Sequence, residues 1–134
     1  MENEKLVTWK PMNGIPKTLY LIELKYDSKG LTLSLVEGNN MPVLIIFFDG
    51  DLSHRIADEG DLLKMVSEAE RDKDARGTLY TVENSHYLKW FHEQSCGTRQ
   101  KDNLVHYRIQ TPNEIVDVLD LGTPKVMWNN LNGR

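Results

Sequence analysis

LYLIELKYDSKGLTLSLV, residues 19–36, decides the fold class. Its first half alternates, with Tyr20, Ile22, Leu24 and Tyr26 on one side and Glu23 and Lys25 on the other. Its second half alternates too, with Leu31, Leu33 and Leu35 opposed to Thr32 and Ser34. A period of two marks an extended strand with one apolar face, whereas a helix repeats its apolar residues three and four apart. Asp27-Ser28-Lys29-Gly30 between the halves is turn chemistry, with Gly30 free to adopt positive φ. The segment reads as an antiparallel hairpin, and the chain is built around a sheet.

Working outward, Val43–Phe48 (VLIIFF) is apolar without interruption and bounded by Gly38-Asn39-Asn40 and Asp49-Gly50-Asp51. This predicts a central strand covered on both faces. Ile56–Asp74 places Leu62, Leu63, Val66 and Ala69 at helical spacing, with Asp58, Glu59 and Asp61 at the dipole-favoured start. Gly77 breaks that helix, and Thr78–Val82 reads as a short strand. A second helix, roughly Ser85–Ser95, is capped by Asn84 or Ser85 and ended by Gly97. Leu104–Gln110 is a further strand. Thr111-Pro112-Asn113-Glu114 has the spacing of a capping box, but the following Ile115–Leu119 is β-branched, so a turn and a strand are expected. Lys125–Trp128 is the last strand, and residues 1–17 are an irregular lead-in with a short strand around Leu6–Trp9. The expected architecture is α+β: one domain, 1–134, with a largely antiparallel β-sheet and two α-helices packed on one face.

At 134 residues the chain can bury a core without disulfides or metal. Its net charge of −4 comes with scattered Lys and Arg, so no electrostatic footprint for nucleic acid is present. The single cysteine, Cys96, cannot form an internal disulfide, which fits a reducing compartment. MENEKLVTWKP lacks the apolar stretch of a signal peptide, and Val43–Phe48 is too short to cross a bilayer. The expectation is a cytoplasmic protein with no membrane partner.

Chemistry-bearing residues concentrate in Tyr80–Thr111, which holds His86, His92, His106, Cys96, Trp90 and three tyrosines. Upstream, IIFFDGDLSH ends a strand in Asp49-x-Asp51, as haloacid-dehalogenase-type phosphatases begin. That motif requires a parallel doubly wound sheet, and here it follows an antiparallel hairpin, so an acidic turn is the better reading. His92 and Cys96 share a helix face, and His106 on the next strand would complete three zinc ligands, but no second ligand pair reinforces them. Cys96 as a nucleophile beside His92 or His106 would sit at a helix C-terminus, where the dipole opposes a thiolate. Along the second helix, Leu88 and Phe91 should face the sheet, leaving Tyr87 and Trp90 on an adjacent stripe as anchors for a protein partner. None of these motifs implies a cofactor.

Three blocks carry a resemblance: Phe47–Lys64, Val82–Gly97 and His106–Asp120. In them the chain resembles a loose family of small bacterial proteins that look like the immunity partners of polymorphic or contact-dependent toxins. The resemblance covers mostly the second half of the chain and brings no catalytic residue with it. It implies a non-catalytic protein-binding module that occludes a basic toxin domain. The residues expected to make that contact are Asp49, Asp51, His54, Tyr87, Trp90 and His92. The competing readings are a metal- or Cys/His-dependent enzyme on His92, Cys96 and His106, and an accessory protein without an active site that forms a homodimer through an edge strand or apolar patch.

Overall fold

A computed structural model describes residues 3–58, 70–71 and 77–129. Its elements are β1 (Lys5–Thr8), β2 (Tyr20–Asp27), β3 (Gly30–Val36), β4 (Val43–Phe48), β5 (Asp51–Asp58), β6 (Glu70–Arg71), β7 (Leu79–Glu83), α1 (His86–Gln94), β8 (Val105–Gln110), β9 (Glu114–Asp120) and β10 (Lys125–Asn129). They form a six-stranded sheet in the order β5-β9-β8-β7-β1-β6 and a four-stranded sheet in the order β10-β4-β3-β2. All pairings are antiparallel except β1 with β6. No helix among the described residues is long and apolar enough to cross a membrane.

The sheets stack through one shared core. Leu31, Leu33 and Leu35 of β3 and Leu44, Ile46 and Phe48 of β4 meet Tyr107, Ile109, Val116 and Val118 of the larger sheet. Alternate residues of β8 and β9 therefore point into the sandwich, and those between them point to the opposite face of the larger sheet. On that far face a smaller cluster of Leu6, Tyr80 and Val82 is buried, and Tyr87 of α1 sets its ring 5.6 Å from that of His106.

The hairpin of residues 19–36 forms as its pattern predicts, with Asp27 Oδ1 accepting from the Lys29 N–H at 2.9 Å in the turn. Gly30 sits at φ +139°, and a Cβ there would lie 2.3 Å from the Phe48 carbonyl oxygen, so glycine is required. A bulge between Leu21 and Glu23 breaks the alternation of β2. Leu24 of the expected set packs on the core, but Leu21 joins it in place of Tyr20 and Ile22, which are exposed, Ile22 at 56%. β4 is central, between β3 and β10, with Ile45 and Phe47 half-buried on its outer face.

The α+β expectation is corrected: the strands divide between two sheets, and α1 is the only helix among the described residues. The decisive element is β5. Ile56, expected to open a helix, pairs with Val116, and the whole of Asp51–Asp58 is laddered to β9. Strand pairing along a β-branched neighbour outweighs the helical spacing that begins further on. The rest of the expected Ile56–Asp74 helix lies outside the described residues, except Glu70–Arg71, which are extended and pair with Lys5–Leu6. Thr111–Glu114 is a turn and Ile115–Leu119 a strand: Thr111 Oγ1 accepts the Asn113 and Glu114 N–H groups, as a cap does, but the chain reverses into β9.

Candidate functional site

The far face of the six-stranded sheet carries a buried polar network. The Thr111–Glu114 turn sets the register that places Arg108 of β8 directly opposite Asp117 of β9, with Arg55 of β5 on the other side of Asp117. Asp117 accepts from His106 Nε2 at 2.6 Å, Arg108 Nε at 2.7 Å and Arg55 Nε at 2.9 Å. Burial alone would raise the Asp117 pKa, but the His106 hydrogen bond and the Arg108 guanidinium outweigh it and hold the carboxyl far below the usual carboxylate range. Glu4, just before β1, lies 3.8 Å from Arg108 Nη2. Its Oε2 accepts the first helical N–H, that of His86, at 2.8 Å. Two buried carboxylates thus oppose two guanidinium groups, although Arg108 Nη2 is buried without a hydrogen bond among the described residues.

Burial lowers the His106 pKa despite the adjoining Asp117 carboxylate, so the imidazole is neutral. Because Nε2 donates to Asp117, Nδ1 is left as the acceptor and takes the Ser85 hydroxyl proton at 2.6 Å. Ser85 Oγ in turn accepts the Leu88 N–H at 2.9 Å as the N-cap of α1. Ser85–His106–Asp117 has the connectivity of a nucleophilic triad, with the two ring nitrogens exchanged relative to the usual arrangement. Its chemistry is closed off: Ser85 is 5% exposed and His106 and Asp117 1% each, and the serine oxygen is already committed to the helix cap. The relay fastens α1 to the sheet.

At its solvent edge the network ends in aromatic groups. Tyr87 Oη and Ser53 Oγ of β5 share a hydrogen bond. The Arg55 guanidinium lies 4.1 Å from the centre of the Tyr87 ring, and the Trp90 ring stacks on Tyr87 with centroids 5.8 Å apart. Burial raises the Tyr87 pKa, so the phenol keeps its proton. Trp90 is 50% exposed, and the Arg55 side chain is 44% exposed.

No family model, curated protein or solved structure matches this chain.

The six residues expected at a contact surface fall into separate places. Tyr87 and Trp90 stack as described, although Tyr87, expected on the outer stripe, is buried, while Leu88 and Phe91 are half-buried. Asp51 and His54 pair at 3.0 Å on β5, and His54 packs against Tyr26 of β2 at 4.9 Å. Ser53 and Arg55 face Tyr87 on the opposite side of that strand. His92 lies further along α1 in a shallow cleft of about 410 Å³ with Cys96, which is exposed. His106 is not there: it is buried between Ser85 and Asp117, so His92, Cys96 and His106 do not assemble. No group of three His, Cys, Asp or Glu side chains among the described residues is placed to hold a metal ion.

Asp49 and Asp51 flank the crossover from β4 to β5, where Asp51 pairs in register with buried Asp120. Burial pushes the Asp120 carboxyl up to about 6, with the Asp49 and Asp51 charges adding to it and the Gly122 and Gly50 backbone N–H groups opposing. The Oδ1 atoms of Asp51 and Asp120 are both buried without a hydrogen bond among the described residues. Arg55, Arg108, Asp117, Ser53 and Glu4 escaped the sequence reading. Arg108 opposite Asp117 follows from counting back from the Thr111–Glu114 turn, while Glu4 and Ser53 carry no such signal.

Proposed function

We propose that this chain is a small non-catalytic protein-binding module whose contact surface centres on Trp90 and Arg55, backed by buried Tyr87. The observation that carries the reading is the half-exposed Trp90, stacked on a Tyr87 held by Ser53 and by the Arg55 guanidinium. Trp, Tyr and Arg dominate binding hot spots, and side chains already locked in place lose little entropy on binding. The buried relay behind them supports contact over chemistry, because its hydroxyl and imidazole are shielded from any substrate. The net charge of −4 favours a basic partner and speeds its approach. Together with the resemblance to toxin-neutralising immunity proteins and the lone free cysteine, these features make a cytoplasmic immunity partner of a basic toxin domain the specific form of the proposal.

The test begins with parallel affinity capture on the wild-type and Trp90→Ala chains, followed by calorimetry on the purified partner. Trp90→Ala should weaken that complex by about 2 kcal/mol or more while leaving the fold intact. Equal affinity of the two chains removes this surface. A toxin encoded beside this chain whose growth arrest is relieved on co-expression would support the immunity form, and failure to relieve it leaves binding without neutralisation.

A further inference from the structure

β2 is the outermost strand of the four-stranded sheet, and among the described residues its free edge pairs with no other strand. Proteins usually blunt such edges with short strands or covering segments, because an open ladder recruits further strands. This edge is eight residues long, and it exposes Ile22 at 56% and Tyr26 at 62%. The bulge at Ile22 bends one end and limits a regular ladder to the stretch from Glu23 onward.

The order of charges along that stretch is self-complementary. In antiparallel pairing about a two-fold axis through Leu24, Glu23 faces the second copy's Lys25, and Lys25 faces the second copy's Glu23. Leu24 then meets its own copy, and the regular ladder runs from Glu23 to Lys25 of each strand. Directly opposed unlike charges and apolar pairs stabilise neighbouring antiparallel strands. The adjoining axes fail: through Glu23 that carboxylate meets itself, and through Lys25 the ammonium meets itself while Glu23 meets Asp27. An axis through Tyr26 also sets Lys25 against Asp27, but it carries Leu24 and Glu23 into the Ser28-Lys29 turn and leaves Glu23 without a strand partner. Among the described residues Lys25 pairs with Asp27 at 3.8 Å, with both side chains exposed, a contact too weak to compete.

We propose that two copies of this chain join β2 to β2 in antiparallel register about Leu24, merging their four-stranded sheets into one continuous sheet. The contact is isologous, as two-fold assembly requires. It uses the four-stranded sheet, whereas Arg55 belongs to the six-stranded sheet and turns to Tyr87 on the side of β5 opposite His54, which Tyr26 touches, so it stands independently of the partner surface proposed above. A contact this small gives a dissociation constant of order 10–100 μM.

Sedimentation equilibrium of the full chain tests it. Wild type should dimerise in that range, and Glu23→Lys and Lys25→Glu should each raise the dissociation constant about tenfold, because each places like charges opposite one another twice. Mixing the two single variants should restore association as a heterodimer, since every facing pair is then of opposite sign, and E23K/K25E should dimerise like wild type. Both substituted positions are exposed, and circular dichroism verifies that the variants fold. Wild type monomeric up to about 1 mM overturns the proposal. So does a dimer indifferent to both reversals, or the absence of a heterodimer on mixing.

Discussion

Asp120→Asn should make this protein more stable at pH 8, against the usual direction of a substitution at a buried position. In the native state Asp120 is buried at the sheet crossover, opposite Asp51, and its carboxyl is pushed from an ordinary 3.8 up to about 6. A folded-state pKa above the unfolded one means that the native state binds the proton more tightly. Its contribution is fully present below about pH 4 and is lost as pH rises through 6. At roughly 1.4 kcal/mol per pH unit, ionised Asp120 costs the native state about 3 kcal/mol by pH 8. Asparagine removes that charge and keeps an acceptor for the Gly122 N–H, which Asp120 Oδ2 takes at 3.2 Å. Allowing for the weaker neutral acceptor, the gain at pH 8 is about 2 kcal/mol, a rise in Tm of about 6 °C. At pH 4 the advantage should shrink to a few tenths of a kcal/mol, because the native carboxyl is protonated there. Urea unfolding of both proteins at half-unit steps from pH 4 to 8 measures it. A variant no more stable than wild type at pH 8, or a difference that does not change with pH, would refute the reasoning.

Three further outcomes follow from the network and the hairpin. Asp117→Asn removes the negative charge paired with buried Arg108 and leaves Glu4, at 3.8 Å, as its one carboxylate partner among the described residues, so it should cost about 3–5 kcal/mol in urea unfolding at pH 7. Because Asp117 titrates far below its ordinary value, wild-type stability should also fall as the pH drops below about 4, a fall that Asp117→Asn lacks. Ser85→Ala removes both the helix cap and the hydroxyl donated to His106 and should cost about 1–2 kcal/mol. A fluorophosphonate should leave Ser85 unlabelled by mass spectrometry, and labelling would show that the relay is open to reagents. Gly30→Ala drives a Cβ to 2.3 Å from the Phe48 carbonyl and should cost about 3 kcal/mol or more; a loss under about 1 kcal/mol would mean that the turn relaxes freely.

Local pattern was a good guide wherever a strand had one buried face or a helix had its caps. The β2–β3 hairpin, α1 with its Ser85 cap, and the turn into β9 could all be read from spacing and turn chemistry. β5 could not. Ser53, His54, Arg55 and Ile56 show no apolar alternation, because this edge strand buries neither face fully and its place is set by β9, far along the chain. Without β5 the two-sheet arrangement is hidden, since β4 and β5 are adjacent in sequence yet belong to different sheets. The site was obscured for a related reason. His106, Arg108 and Asp117 look like the polar, outward residues of half-exposed strands, and nothing local says that this face is buried as well. Trp90 was recognisable by type and position, but its support from Ser53 and Arg55 depended on the unseen strand.

β10 closes the four-stranded sheet beside β4, although the last strand before it, β9, belongs to the other sheet. During synthesis the uninterrupted apolar run Val43–Phe48 emerges early, while the strand that seals one of its edges is made only after β5 to β9. Until Lys125–Asn129 has left the ribosome, that edge is an open template for its own kind, of the composition that seeds cross-β stacking. The closing strand therefore guards the nascent chain against aggregation, and ribosomes stalled shortly before residue 125 should yield insoluble product even though most of the core is already made.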